Sequence, residues 1–197
     1  MSDPSAAAQA DPSTVPGEGA LGPAIERFDR AVDEAFDRVR GNEALDQLFR
    51  AASTAGDFSL VWHALGGMRG LATRRADQVL ILAVGLGLES LIVNQCVKRL
   101  FRRSRPTEHG VEGLEVRQPT TSSFPSGHAS AATFAVVLLS AWERPSRIAG
   151  WAAVGILVAT SRVYVRIHHA SDVLGGIAIG AGLGFAARRV ARRIAPR

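Results

Sequence analysis

The chain has 197 residues, enough for one domain with a short appendage, and carries a formal net charge of +5. The charge is not laid out as a nucleic-acid-binding stripe. Basic side chains gather at Arg74-Arg75, Lys98 to Arg105, Arg144 to Arg147 and Arg188 to Arg197, between apolar runs, as membrane-flanking loops do. A single cysteine, Cys96, excludes an intramolecular disulfide and argues against a thiolate metal site.

Residues 1–22 are rich in Ala, Pro, Ser, Gly and Asp and almost free of large apolar side chains. Such a segment cannot bury enough surface to offset its ordering entropy, so it is expected to be a disordered tail. It has no basic start followed by an apolar run, so it does not read as a secretory signal. A soluble secreted protein is therefore not expected.

Residues 23–55 read as an amphipathic helical segment. Ile25, Phe28, Val32, Phe36 and Val39 recur at three- and four-residue spacing, and Asp29, Arg30, Asp33, Glu34, Asp37 and Arg38 fill the other face. Gly41-Asn42 interrupts the pattern, and a shorter helix follows with Leu45, Leu48 and Phe49 inward. The segment is expected to pack on the rest of the domain; lying in a membrane interface is the alternative.

From Phe58 the chain turns apolar in blocks: Phe58–Leu71, Val79–Val97, Ala129–Trp142, Ile148–Tyr164 and Val173–Ala187. Only the second approaches the ~20 residues that span a bilayer, and it contains Glu89 and Asn94. Blocks of about 14 residues also suit buried core helices of a soluble protein. Two features favour the membrane: the later blocks are uncharged for most of their length, and they are apolar all round rather than on one stripe. The expectation is an all-α, multi-pass membrane helical bundle over residues 56–190, followed by a basic C-terminal tail over residues 191–197. Gly176, Gly180 and Gly184 recur at four-residue intervals, a face that lets another helix approach closely, including one from a second copy in a homo-oligomer.

Ionisable groups at the ends of apolar blocks are functional candidates. The first cluster runs from Lys98 to Pro106. On a helix Lys98, Arg102 and Arg105 form one positive stripe, which Pro106 would end. Lys98 is also the only lysine in the chain. A snorkelling cluster at the membrane edge would look the same. The second cluster is Ser122-Ser123-Phe124-Pro125-Ser126-Gly127-His128, just before an apolar block. That is helix-start chemistry: free N–H groups and the Ser126 hydroxyl suit an anion, and His128 could give a proton to a leaving oxygen. A plain helix cap with an incidental histidine is the other reading.

The third cluster spans Ser161 to Asp172. His168 and Asp172 are four apart, so in a helical turn the carboxylate could fix the imidazole tautomer and leave the second nitrogen nucleophilic. Arg162 offers a planar donor fork for phosphate oxygens. Paired histidines beside an aspartate could instead bind metal, but no further carboxylate or thiol cluster completes such a site, and the arginines suit an anion.

The three clusters together resemble the signature of the type 2 phosphatidic acid phosphatase superfamily. Its pattern is Lys, six residues, Arg-Pro; then Pro-Ser-Gly-His; then Ser-Arg, five residues, His, three residues, Asp. Here these are Lys98 with Arg105-Pro106, Pro125 to His128, and Ser161-Arg162 with His168 and Asp172. The resemblance covers about Val79 to Ala187. It implies a phosphatase in which His168 attacks phosphorus, Asp172 orients it, and His128 protonates the leaving alkoxide. Lys98, Arg105, Ser126, Gly127 and Arg162 would hold the phosphoryl oxygens, with no metal and no cofactor. Members in lipid usually have six helices, whereas this chain offers four clear blocks and a short fifth. His169 is expected in the pocket wall, and Arg102, Arg103 and Arg166 as sources of field or anchors.

All three motifs fall on one membrane face by position. Arg74, Arg75, Arg144, Arg147 and the tail fall on the other, which the positive-inside rule makes cytoplasmic. The expected substrate is a lipid-borne phosphate: a polyprenyl phosphate or diphosphate, phosphatidic acid, or phosphatidylglycerol phosphate. Some small members of the superfamily act on decaprenyl-phosphate sugars of cell-wall synthesis, which makes that a specific candidate. The competing readings are a vanadate-dependent haloperoxidase, a soluble acid phosphatase, and a membrane protein that binds a phospholipid head group without turnover.

Overall fold

The five apolar blocks of the sequence become helices, and the amphipathic segment becomes two more. The computed structural model describes residues 21–107, 114 and 116–195, so the expected disordered tail falls almost wholly outside the described residues. The helices are α1 (Pro23–Asp37), α2 (Glu43–Ala55), α3 (Leu60–Thr73), α4 (Ala76–Leu91), α5 (Gly127–Leu139), α6 (Pro145–Tyr164) and α7 (Ala170–Ile194). A π-helical stretch, Ile92–Val97, and a 3-10 turn, Lys98–Leu100, prolong α4. Among the described residues there is no strand.

Local chemistry sets several boundaries. The Asn42 side chain accepts from Leu45 N at 3.2 Å and starts α2. Ser126 does the same for α5 through Ala129 N at 3.4 Å, and Pro145 sits in the first turn of α6. Arg74, in the left-handed region at φ 56°, ends α3.

Helix α5 is the axis of the bundle. Ala129, Ala132, Phe134, Ala135 and Leu138 are buried along it, with α4, α6 and α7 packed around it. The tightest seam is with α7. A Cβ built on Gly180 would collide with the Ser130 carbonyl, one on Gly176 would lie 3.1 Å from Ala129 Cβ, and one on Gly184 2.9 Å from Val137 Cβ. The glycine face is therefore real, but α5 of the same chain fills it. It is not open to a second copy, which corrects the expectation of a homo-oligomer through Gly176, Gly180 and Gly184.

The outer faces of these helices are apolar. Ala76–Leu100 and Ala170–Ile194 are long and apolar enough to cross a membrane. On them Leu80, Val84, Leu88 and Leu91, then Leu174 and Phe185, stand at least half exposed, and Ile156 does so on α6. Water tolerates contiguous apolar surface of this kind poorly, whereas hydrocarbon covers it at no cost.

The two ends of the bundle differ. At one, Arg69 pairs with Glu143 and donates to Gln78 at 2.5 Å, while Trp142 Nε1 donates to Ala195 O at 2.7 Å. At the other, α1 and α2 pack over the ends of α6 and α7. Arg40 donates to the Tyr164 and Val163 carbonyls at 2.8 and 2.9 Å, tying the segment after α1 to the last turn of α6. Arg166, at φ 53°, binds Asp37 at 2.7 Å, so it is an anchor for α1.

Three sequence expectations change. Asp29, assigned to the polar face of α1, is buried because it partners groups from two other segments. Leu48, expected inward, is 46% exposed, while Leu45 and Phe49 pack beside Tyr164. The positive helical stripe does not form beyond Leu100. Phe101 is extended (φ −122°, ψ 142°), which frees Arg103 to turn inward.

Gly180→Leu should therefore lower the thermal midpoint in detergent by an amount matching an overpacked seam, about 1–3 kcal/mol or more. Gly182→Ala, where a Cβ meets nothing within 4 Å, should leave the midpoint unchanged or raised.

Candidate active site

The three sequence clusters meet at the end of the bundle that α1 and α2 cover. Lys98, Arg105, Gly127, His128, Arg162 and His168 line one cavity of about 1190 Å³. This exceeds the ~300–1,000 Å³ of ordinary small-molecule sites, so it has room for more than one phosphoryl group.

His168 lies in the link between α6 and α7, not inside a helical turn as the four-residue spacing suggested. Helix α7 starts at Ala170, and Asp172 is its third residue. Asp172 nevertheless reaches the imidazole: Oδ2 lies 3.5 Å from His168 Nδ1 and accepts from His169 N at 2.9 Å. The Ser123 hydroxyl stands between them, donating to Asp172 Oδ2 at 2.6 Å and lying 3.4 Å from His168 Nδ1. Both neighbours of Nδ1 are acceptors toward it, so Nδ1 carries the proton and the lone pair is on Nε2. Nε2 faces Arg105 Nη1 at 3.3 Å.

Burial and cations tune this group. His168 is 2% exposed, and burial pushes its imidazole well below the ordinary 6.5; the Asp172 contact opposes the shift without cancelling it. The ring is neutral at neutral pH. Arg105 is lowered to about 10 by burial and stays charged. Its guanidinium is pinned by the carbonyls of Pro119 at 3.1 Å, Ile167 at 2.9 Å and Thr121 at 3.1 Å, so it presents charge with few spare donors.

Arg162 is the opposite case. It is 1% exposed, and Nη1 donates to Ser53 Oγ. Nε and Nη2 are buried with no hydrogen-bond partner among the described residues. Leaving guanidinium donors unmade in the interior is costly, and an anion in the adjoining cavity would satisfy them. Lys98 is buried as well, with Nζ 3.4 Å from Thr121 Oγ1. Among the described residues no group of three His, Cys, Asp or Glu side chains gathers to hold a metal ion.

Two assignments need correction. The Ser126 hydroxyl caps α5 and is fully buried, and it is Gly127, not Ser126, that lines the cavity. His169 does not line the cavity either; it is the N-cap residue of α7.

Several groups that matter here were not legible as such. Arg103 is buried between two carboxylates, donating to Asp172 Oδ1 at 2.5 Å and to Asp29 Oδ2 at 2.6 Å. Asp29 also accepts from Ser171 N and Oγ, each at 2.7 Å. The adjacency of Arg103 to the Lys98–Arg105 motif was a hint; for Asp29, one acid among several on a charged helix face, there was none. His128 is held by Asp57, with Nε2 3.1 Å from Oδ1, and by the Ser53 carbonyl at 3.2 Å. Neither partner belongs to the three clusters.

This constellation has relatives. The family model described as PAP2 superfamily matches residues 78–195. The decaprenylphosphoryl-5-phosphoribose phosphatase of Mycobacterium tuberculosis is 31% identical over 138 residues, covering 68% of this chain and 74% of that one. Its namesake from Mycolicibacterium smegmatis is 35% identical over 131 residues, covering 64% and 68%. In shape, the chain is similar to a transmembrane PAP2 type phosphatidylglycerolphosphate phosphatase from Bacillus subtilis. The TM-score is 0.70 at 23% identity, over 90% of this chain and 91% of that one. The all-helical fold, the apolar outer faces and the cationic cavity are those of a membrane phosphatase, and the chain belongs to the PAP2 superfamily.

Proposed function

We propose that this phosphatase hydrolyses a polyprenyl-borne phosphate monoester through a phosphohistidine on His168. One observation carries the reading: a buried neutral imidazole, its Nδ1 fixed by Asp172 and Ser123, offers Nε2 into a cavity walled by Lys98, Arg105 and Arg162. A lone pair aimed into a cationic cradle is what attack on phosphorus requires.

In the first step His168 Nε2 forms a bond to phosphorus as the bond to the leaving oxygen breaks. His128 gives that oxygen a proton, and the alcohol departs. In the second step water attacks phosphorus, the P–N bond breaks, and His128 takes the proton from water. Charge on the equatorial oxygens is stabilised by Lys98, Arg105, the free Nε and Nη2 of Arg162, and the backbone N–H of Gly127 at the start of α5. Asp172 orients His168 throughout and stabilises the positive ring that forms on phosphorylation.

Substrate class follows from where the cavity lies. It opens at the end of a bundle with apolar outer faces, so a phosphate whose tail stays in hydrocarbon reaches it without leaving the bilayer. The Mycobacterium tuberculosis and Mycolicibacterium smegmatis relatives are named for a decaprenylphosphoryl sugar phosphate. A polyprenyl carrier bearing a terminal phosphate, such as a decaprenyl-phosphate sugar, therefore ranks above phosphatidic acid and phosphatidylglycerol phosphate. Helices α3 to α7 form the multi-pass bundle. The end bearing Arg69, Arg75, Arg144 and Arg147 faces the cytoplasm, and the site faces outward.

Assayed in detergent with a chelator present, the purified chain should release inorganic phosphate from polyprenyl-linked phosphates faster than from phosphatidic acid or phosphatidylglycerol phosphate. His168→Ala should lose about a thousand-fold or more of that activity. Turnover undiminished in this variant would sink the phosphohistidine route, and silence of the wild type on every lipid would leave a head-group binder. Because His168 is held below 6.5, its neutral form persists into mild acid. The acid limb of kcat/KM, corrected for substrate ionisation, should lie below pH 6.5. A fluorescent protein fused after Arg197 should fold and fluoresce in the cytoplasm; export of the fusion would reverse the proposed orientation.

A further inference from the structure

Outside the stretch that matches the family, the corner between α2 and α3 enters the cavity. Ser53 lies in the last turn of α2, Gly56 follows the helix, and Asp57 opens the 3-10 turn Asp57–Ser59. Each makes a separate contact with a group already placed at the site. The Ser53 hydroxyl accepts from Arg162 Nη1, and its carbonyl lies 3.2 Å from His128 Nε2. Asp57 Oδ1 lies 3.1 Å from the same nitrogen. Gly56 makes the approach possible: a Cβ there would fall 2.5 Å from His128 Cδ2 and 2.8 Å from Val158 Cγ1. None of these three residues lies within 78–195, the span of the family match.

We infer that this corner is a fourth segment of the active site, in which Asp57 is the positioning residue that holds His128 as a proton donor and Ser53 sets Arg162. The inference rests on the phosphohistidine reading and deepens it by assigning what makes the acid an acid. With a carboxylate and a carbonyl oxygen both facing Nε2, that nitrogen carries a proton, and Nδ1 is the one that exchanges a proton with the substrate. The carboxylate on Nε2 stabilises the imidazolium, so the ring can carry the second proton that the departing alkoxide takes. When that proton leaves, His128 is neutral, and the carboxylate favours its taking one back from the attacking water. The arrangement mirrors the Asp172–His168 pair: at each ring a carboxylate on one nitrogen opposes burial and the neighbouring cations.

The groups facing His128 are Asp57 from the turn, Ser53 from α2 and Arg162 from α6. Arg162 opposes the charge on the ring, so Asp57 is the one anion that offsets it among these three. Burial pushes the Asp57 carboxyl up, but the His128 hydrogen bond and the charges of His128, Arg162 and Arg117 outweigh it. The net shift is below 3.8, so Asp57 is ionised wherever the enzyme works.

A proton donor matters in proportion to how poor the leaving group is, and this separates catalysis from scaffolding. In the full chain in detergent, Asp57→Asn should lower kcat about a hundred-fold on an alkyl phosphate, whose alkoxide must be protonated. An aryl phosphate with the same apolar chain should lose less than about tenfold, since a phenolate departs unaided. With the alkyl substrate, the alkaline limb of the kcat profile should move to lower pH, because an imidazolium without its carboxylate loses its proton sooner. Asp57→Glu should restore part of the alkyl activity and, should the amide variant fail to fold, carries the same substrate comparison. In a His128→Ala background the Asp57 substitution should cost little more, as two groups acting as one unit do.

Equal losses on both substrates, or unchanged kcat on the alkyl phosphate, would overturn the inference while leaving the phosphohistidine reading intact. That reading has its own control in the wild type and His168→Ala.

Discussion

A single buried carboxylate ties the site together. Asp172 is fully buried, and a charge in that position survives only with partners around it. Its partners come from every part of the chain that matters. Arg103 arrives from the segment after α4, Ser123 from the segment before α5, and His169 N from its own helix start. The Asp172 carbonyl meanwhile accepts from Ser126 N at 2.9 Å, joining the starts of α5 and α7. The glycine seam between α5 and α7 then fixes those two starts at one depth. Remove the charge and Arg103, Ser123 and His168 lose the side chain that all three contact. Arg103 passes the constraint outward to Asp29, so the amphipathic α1 is locked to the catalytic centre by a buried ion pair rather than lying loosely on the membrane.

Around this anion the cavity carries an excess of positive charge. Lys98, Arg105 and Arg162 face one another, and two donors of Arg162 have no partner among the described residues. Such a cluster is unfavourable when empty and becomes favourable when a dianionic phosphoryl group enters, so the protein holds in its resting state the electrostatics that the reaction needs. The asymmetry between Arg105 and Arg162 fits two tasks. Arg105, spent on three carbonyls, is a fixed charge beside His168; Arg162 keeps free donors for oxygens.

The sequence revealed the helices and the three motifs because both are local. An apolar block announces a helix wherever it packs, and Lys98, Arg105, His128, Arg162, His168 and Asp172 sit at the spacings of the family signature that the chain resembles. What stayed hidden was long-range. Asp29 and Asp57 look like ordinary solvated acids until tertiary contacts bring Arg103 and His128 to them. The helical stripe from Lys98 to Arg105 was the natural reading of its spacing. It fails where Phe101 turns extended, and Arg103 then lies buried between two carboxylates. The Gly176–Gly184 face was legible as a packing face, but not which helix would fill it, since glycine specifies a close approach and not a partner.

The architecture also accounts for the division of the chain. Helices α3 to α7 present apolar surface outward and can say little to water, so the polar scaffolding that a phosphate site needs has to come from their ends. Helices α1 and α2 supply it. They are tied to the last turn of α6 through Arg40, reach Asp172 through Asp29 and Arg103, and reach His128 and Arg162 through the corner after α2. A bundle without them would keep His168 beside Asp172 and Ser123 but lose Asp29 behind Arg103 and the Ser53–Asp57 corner beside His128 and Arg162. The segment before the family match therefore supplies Asp29 to Arg103 and Asp57 to His128.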